Sequence, residues 1–295
     1  MPSLTIFANF YIDSEERFLR MKDSFASILP IGATKWVVNT RGAFREQTNS
    51  FLREQLGDTL TLFTLESRQG WFNDTKQMLY AIDTDFVFFW VEDHLNVVSD
   101  PAHYATLLTE MKQTGSDYLQ YSWWHAGAFA RNYASIPKQD RQTISSFTLT
   151  KMAFQAIHEK SPSYVISMVG IFSQSLFKKI ILTTPQFLRQ HPKQTPFNFE
   201  RGGEYTDLLP LRMALPTHEL FAPIDDDNGE PGYSLQSRGL YPIRERRAVP
   251  PQPAYPKQPN IFKKTLPKAL YAKLIKIVIF ANKCRRYVYL VRHGQ

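Results

Sequence analysis

The chain predicts an α/β protein, a mostly parallel central sheet flanked by helices, followed by a basic helical tail. Three observations predict it. Short apolar runs alternate with segments whose apolar residues recur at helical spacing, four times before residue 92. The fourth run, Phe86–Val91, is apolar without alternation, the pattern of a strand covered on both faces. Charge is divided: from Ile243 to Gln295 there are thirteen Lys and Arg against one acid, Glu245, so the 242 residues before them carry −4 of the overall +8. The high pI therefore describes the tail and not the body.

The elements follow in order. Leu4–Phe10 is a β-rich run that opens the sheet. Ser14 begins a helix, with Glu15 and Glu16 in its first turn, where the helix dipole favours acids. Phe18, Met21, Phe25 and Leu29 form its apolar face. Lys35–Asn39 is a second strand. Ala43–Leu56 is helical, with Phe44, Phe51 and Leu52 on one side. Thr59–Thr64 is a third strand, Gly70 breaks the chain, and Trp71–Ile82 is a third helix. Phe86–Val91 completes a βαβαβαβ series whose short links favour right-handed crossovers.

In an open α/β sheet, ligands bind beyond the carboxyl ends of the strands. That rule selects Asn9 and Tyr11, Asn39 and Arg41, Glu66 and Arg68, and Glu92-Asp93-His94. Loops are polar in nearly every α/β protein, so Asn9, Asn39 or Arg41 taken alone also fits loop solvation or capping. The last triplet is different. Two acids and a histidine directly after six apolar residues cost free energy unless something pairs with them. A divalent cation does so: carboxylates suit Mg²⁺ and Mn²⁺, and imidazole tilts the choice toward Mn²⁺. The alternative is that Asp93 and His94 cap the following loop.

An N-terminal βαβ region, a helix opening near Gly70 and an apolar strand ending in acids resemble the nucleotide-sugar-dependent glycosyltransferases of the GT-A fold, family 2-like in organisation. Their strand ends in Asp-X-Asp, some members carrying Asp-X-His. Here the triplet reads Glu92-Asp93-His94. The resemblance implies that Glu92 faces the ribose or a metal-bound water and that His94 binds the metal, with Asp93 serving if the register shifts by one. A second match is Gly202-Gly203-Glu204-Tyr205-Thr206-Asp207-Leu208, similar to the family's Gly-Glu-Asp-x-Asp-Leu stretch. That stretch supplies the catalytic base for inverting transfer, a carboxylate that takes the acceptor hydroxyl's proton. Tyr205 stands at the usual Asp position, so Glu204 is the first candidate base and Asp207 the second. His218 is a third metal-shell or diphosphate group, or a structural histidine. The resemblance covers residues 3–224.

Asp117–His125 reads as a strand running into an aromatic loop, whose Trp123 and Trp124 suit either a sugar face or a core. Ser163–Phe172 reads as a strand and Ser173–Leu182 as a helix. Asp225–Gly229 resembles a calcium-loop opening without the remaining spacing and is read as a turn. Five prolines between Ala248 and Asn260 mark a semi-extended linker. Beyond Pro267, Leu270, Leu274, Ile277 and Val278 fall at helical spacing among lysines and arginines. No uncharged 18-residue span exists there, so the tail reads as a basic amphipathic helix for an anionic membrane surface. Its aliphatic content argues against nucleic acid as the partner. A helix packed on the body is the remaining alternative.

The domains expected are thus 1–242, a GT-A-like body, 243–266, a Pro-rich linker, and 267–295, the tail. The single cysteine, Cys284, excludes a disulfide framework and a Cys-based zinc site. No Gly-x-Gly-x-x-Gly follows the first strand, and neither a P-loop nor Gly-x-Ser-x-Gly is present, which counts against dinucleotide enzymes, simple kinases and hydrolases. The start lacks a basic n-region and an apolar h-region, so no signal peptide is expected and a cytoplasmic address is. The function expected is transfer of a sugar from a nucleoside diphosphate donor to a glycan or lipid-linked acceptor in polysaccharide biosynthesis, with Mn²⁺ or Mg²⁺, by a protein peripheral on the cytoplasmic face of a membrane. The alternative is a non-catalytic glycan- or nucleotide-binding protein on the same scaffold.

Overall fold

The computed structural model describes residues 2–66, 70–120, 133–160, 166–182, 208–226 and 232–243, with the side chains of 158–160 excepted. The chain separates into two compact units, Met1–Arg244 and Glu245–Gln295, the second lying outside the described residues. The linker and tail expected at 243–266 and 267–295 fall almost entirely there.

The first half alternates as the sequence predicts. Strands β1 (Leu4–Tyr11), β2 (Lys35–Arg41), β3 (Leu60–Phe63) and β4 (Phe86–Phe89) are separated by helices α1 (Glu15–Ile28), α2 (Arg45–Leu56) and α3 (Trp71–Met78). Ser14 caps α1 by accepting the Arg17 amide at 3.3 Å. The second half adds β5 (His94–Asn96), α4 (Pro101–Thr114), β6 (Tyr118–Gln120), β7 (Gln139–Asp140), β8 (Ile144–Leu149), α5 (Lys151–Lys160), β9 (Gly170–Ser173), α6 (Gln174–Leu182), β10 (Leu211–Pro216) and β11 (Phe221–Pro223). Nine strands form one sheet in the order β3-β2-β1-β4-β9-β6-β10-β8-β7, and β5 pairs with β11 in a separate ribbon. Strands β3, β2, β1 and β4 are mutually parallel, as are β6 and β10, whereas β9 is antiparallel to both β4 and β6. The largely parallel, helix-flanked sheet agrees with the α/β expectation. Among the described residues no helix is long and apolar enough to cross a membrane.

The sheet carries a core on each face. Phe86 and Phe88 of β4 point to the α1 and α4 side, with Met21, Phe25, Tyr104 and Met111. Val87 and Phe89 point to the α3 and α6 side, with Trp71, Phe72, Phe177 and Ile180. All four are buried, which explains why the run shows no alternation. Each contributes about 1.5–3 kcal/mol of apolar burial.

Two readings of local structure are corrected. The apolar run at 163–172 is a strand only from Gly170: residues 166–169 lie in bends, and 163–165 fall outside the described residues. Strand pairing there needs close approach, since a Cβ at Gly170 would stand 2.8 Å from the Tyr118 ring and 2.9 Å from the Leu119 carbonyl. Trp90 and Val91 lie beyond the end of β4, because the chain turns there toward β5.

Helix α4 also organises the β7–β8 turn through Glu110. This buried carboxylate accepts the Gln142 amide at 2.9 Å, the Thr143 amide at 2.9 Å and the Thr143 hydroxyl at 2.5 Å. Burial works to raise its pKa, but these hydrogen bonds outweigh it and hold the group below the ordinary carboxylate value. Stability from a depressed pKa is present above the unfolded value and is lost as pH falls through the folded one. Glu110→Gln is expected to cost about 2 kcal/mol at pH 7. The difference in melting temperature between wild type and variant should shrink as pH falls below about 4. A difference independent of pH between 7 and 3 would refute the assignment.

Candidate active site

Strands β2 and β3 lie to one side of β1 and β4 to the other, so the direction of winding changes between β1 and β4. The crevice outside the carboxyl ends of those strands is where such sheets bind ligands. Every sequence-selected residue that is described lies at or just beyond this sheet end, His218 at its far side, after β10, which runs parallel to β6 and β4.

Asn9 and Asn39 stand side by side in the β1–β2 register, as do Tyr11 and Arg41. The Asn39 amide donates to Asn9 Oδ1 at 2.9 Å and to the Leu65 carbonyl at 3.3 Å, and its Oδ1 accepts the Leu65 amide at 2.8 Å. Asn9 donates to Thr75 Oγ1 at 3.1 Å, and its carbonyl accepts the Trp71 indole at 3.3 Å. Both side chains are buried and spend their polar groups inside the protein. In the geometry described they hold the chain after β3 and the start of α3 against the sheet.

Arg41 is placed differently. Its guanidinium lies over the half-exposed Tyr11 ring, 5.9 Å from the centroid. Among the described residues its Nε is buried without a hydrogen-bond partner. Burial holds its pKa below the ordinary guanidinium value against the pull of Asp74 and Tyr11, yet an arginine stays charged. An unpaired buried cation edge beside an aromatic face suits an anionic, planar ligand. The following Gly42 adopts a φ of +96°, and a Cβ there would meet the Ile12 carbonyl oxygen at 2.3 Å. Only glycine lets the β1 and β2 ends cross so closely. Glu66 pairs with Arg45 at 2.5 Å. Arg68 lies outside the described residues.

Beyond β4 the three ionisable groups meet distinct surroundings. Glu92, 17% exposed, faces Arg17 Nη1 at 3.8 Å. Arg17 is held in turn by donating to the Tyr11 carbonyl at 2.7 Å. Burial pushes the Glu92 carboxyl up to about 7, with the charge of Asp93 adding and Arg17 opposing. Asp93, half-exposed, meets His94 Nδ1 with its Oδ1 at 2.7 Å. Partial burial works upward on Asp93, but the charge and hydrogen bond of His94 hold it below the usual carboxylate value. The backbone of this corner is fixed from two sides. Ser24 Oγ of α1 donates to the His94 carbonyl at 2.5 Å while accepting the Trp90 indole at 2.8 Å. Across the ribbon His94 pairs with Pro223, and the Ile224 amide donates to the Asp93 carbonyl at 2.8 Å.

The segment that closes the ribbon is tied to α1. Arg20, only 5% exposed, donates to Glu16 Oε1 at 2.8 Å and to Asp225 Oδ2 at 2.7 Å. Burial works against its charge, but Glu16 and Asp225 outweigh it and raise its pKa. Asp225 therefore serves as an ion-pair partner within the turn, while Asp227–Gly229 lie outside the described residues. Tyr241 donates to Asp23 on the same helix. Neither Arg20 nor Arg17 was selected by the sequence reading; their position on the buried face of α1 was the available signal.

His218 is placed beside His103, ring centroids 6.1 Å apart, and its Nδ1 lies 3.0 Å from Thr217 Oγ1. Among the described residues no three His, Cys, Asp or Glu side chains gather closely enough to hold a metal ion. At the corner Asp93 and His94 touch, both of a chemical kind that would hold a divalent cation. This fits an ion bound through one or two protein groups and completed by phosphate oxygens and water. Glu204, Asp207, Trp123 and Trp124 lie outside the described residues.

No family model matches the chain, and no curated protein matches it. Among solved structures it is similar to S. aureus TarS, with 13% identity and a TM-score of 0.46 over 74% of this chain and 36% of that one. For TarS 1–349 in complex with UDP-GlcNAc the values are 13% and 0.46 over 74% and 57%. For the mannosyltransferase PcManGT from Pyrobaculum calidifontis, in complex with GDP-Man and Mn²⁺, they are 12% and 0.40 over 61% and 46%. The chain therefore spans between about a third and three-fifths of the length of these neighbours.

Proposed function

We propose that the chain is a glycosyltransferase that moves a sugar from a nucleoside diphosphate sugar to a hydroxyl of a glycan or lipid-linked acceptor, with inversion at the anomeric carbon. The observation that carries this reading is the Glu92, Asp93 and His94 corner beside the β1–β4 switch, with Arg41 two strands away along the same edge. Arg41 and Tyr11 bind the nucleotide. Arg17 orients Glu92 toward the ribose. Asp93 and His94 would hold Mn²⁺ or Mg²⁺. Such an ion, when bound, supplies positive charge to the departing diphosphate. Glu204, or Asp207 after it, accepts the acceptor's proton, as the family resemblance implies. His218, beside His103, is left out of the donor set.

Ligand binding to the native state raises apparent stability, by about 2.7 kcal/mol at a concentration 100 times Kd. The full chain with Mn²⁺ is accordingly expected to melt several degrees higher with UDP or GDP than without. No shift with either nucleotide at millimolar concentration would sink the reading. A shift without turnover of any sugar donor would leave a binding protein on the same scaffold.

The tail extends the proposal to place and partner. Its basic, aliphatic helix pattern suits the cytoplasmic face of an anionic membrane, where each Lys or Arg near the surface adds about 1 kcal/mol. Liposomes containing phosphatidylserine are expected to bind the full chain, less so as salt rises, and not a chain ending at Val249. Equal binding by both chains would remove the anchor.

A further inference from the structure

Two histidines that the proposed mechanism does not use meet at the far side of the sheet end. His103 is the third residue after Asp100, the cap of α4, and is half-buried. His218 follows β10 and is exposed. Their ring centroids are 6.1 Å apart and their planes cross at 81°. Strand β10 stands three places from β4 in the sheet, about 14 Å at ~4.8 Å per strand. The pair is therefore separate from the acid–imidazole corner.

Hydrogen bonding leaves the same nitrogen open on each ring. The Thr217 hydroxyl lies 3.2 Å from the Thr143 carbonyl and 3.4 Å from the Gln142 carbonyl. A carbonyl only accepts, so the hydroxyl donates there and its lone pair takes the proton of His218 Nδ1, 3.0 Å away. His218 Nε2 then carries the ring's lone pair. On His103, Nε2 is buried and, among the described residues, has no hydrogen-bond partner. A buried ring nitrogen left in that state costs free energy.

The His103 ring is also kept neutral. Burial and the charge of His218 hold its pKa below the ordinary imidazole value, against Asp100 and Glu110. The positive end of α4 acts in the same direction. Neither acid is free to draw a proton onto it: Asp100 accepts the Ala102 amide, and both Glu110 oxygens are engaged with the 142–143 turn. A neutral imidazole is the form that binds metals, and a metal-bound histidine ordinarily has its other N–H held by an oxygen, as His218 has. With zinc–nitrogen bonds of about 2.0–2.1 Å, two rings on one ion have centroids roughly 5–6 Å apart. The exposed His218 ring can turn to close the small remaining gap and uncover His103 Nε2.

We propose that His103 and His218 bind one divalent cation of the zinc class through their Nε2 atoms, clipping the start of α4 to the connection between β10 and β11. Among the described residues no third His, Cys, Asp or Glu joins them, so water fills the other positions. Two imidazoles without a carboxylate select Zn²⁺, Cu²⁺ or Ni²⁺ over Mg²⁺ and Mn²⁺. The clip joins segments far apart in sequence, and an ion that binds only the folded chain stabilises it. This inference does not depend on the glycosyl-transfer reading.

The test uses the full chain carrying His94→Ala, which silences the other imidazole-bearing cation site, and adds His103→Ala or His218→Ala to it. Calorimetric titration of the metal-stripped proteins with Zn²⁺ should show an ion in the parent that each added variant binds at least tenfold more weakly. Saturating Zn²⁺ should raise the melting temperature of the parent by a few degrees and that of neither variant. Mn²⁺ at the same concentration should not displace the zinc. His103→Gln and His218→Asn replace the alanine variants if circular dichroism shows either to be misfolded. No zinc binding by the parent at millimolar concentration overturns the site, as does equal binding by parent and variants. Loss in only one of the two variants overturns it as well, since the ion would then be held by one of the histidines and other groups. Displacement by equal Mn²⁺ overturns the assigned class of metal.

Discussion

His94→Ala is expected to lower metal-dependent turnover of the donor by about 100-fold or more, a loss of roughly 3 kcal/mol of transition-state stabilisation. The size follows from the donor set. With Asp93 and His94 as the two protein donors, removing one leaves a cation held by a single carboxylate and by the substrate itself. The fold is expected to survive. What anchors this corner is backbone: the His94 carbonyl bonded to Ser24, and the Asp93 carbonyl bonded to the Ile224 amide. Circular dichroism should therefore match wild type while the Mn²⁺ requirement shifts to far higher concentration. Turnover unchanged in the variant, or undiminished when EDTA is added to wild type, would remove the metal from the mechanism.

Arg20→Ala should be the most damaging substitution for stability. It strands Glu16, whose side chain is 9% exposed, whereas Asp225, 35% exposed, is partly hydrated, so the cost falls at the lower end of that for breaking a buried pair, about 3 kcal/mol. For a body of this size that lowers the melting temperature on the order of 10 °C. The combined variant Arg20→Met, Glu16→Gln, Asp225→Asn should recover much of the loss, because no charge is then left unpaired. If Arg20→Ala melts within 2 °C of wild type, as about 1 kcal/mol or less would imply, the Arg20–Glu16 pair is not buried in solution. The same variant should weaken nucleotide binding, since Asp225 follows directly on the Ile224 amide that holds Asp93.

Local pattern carried the first half of the fold because its signals are local. Phe18, Met21 and Phe25 repeat at the helix period, and Phe86–Phe89 show no alternation because both sheet faces bury them. The same logic placed Arg41 and the Glu92 triplet at the carboxyl ends of strands. Helix α4 was as legible but was not read: Asp100 caps it, Pro101 opens it and Gly115 closes it in the left-handed region. What could not be read is what depends on distant partners. Asn39 resembles any polar residue after a strand until Leu65, 26 residues on, takes its hydrogen bonds. Glu110 and Arg20 look like surface charges on amphipathic helices until the partners at 142–143 and 225 are in place.

The ribbon of β5 and β11 has a consequence for biogenesis. It joins residue 94 to residue 223, so the corner that carries Asp93 and His94 stays incomplete until the chain past Ile224 has left the ribosome. The four parallel strands that precede it can fold earlier, as N-terminal segments do during synthesis. The proposed donor site is thereby withheld from nascent fragments and completed only when a distant stretch of polypeptide returns to seal that edge of the sheet.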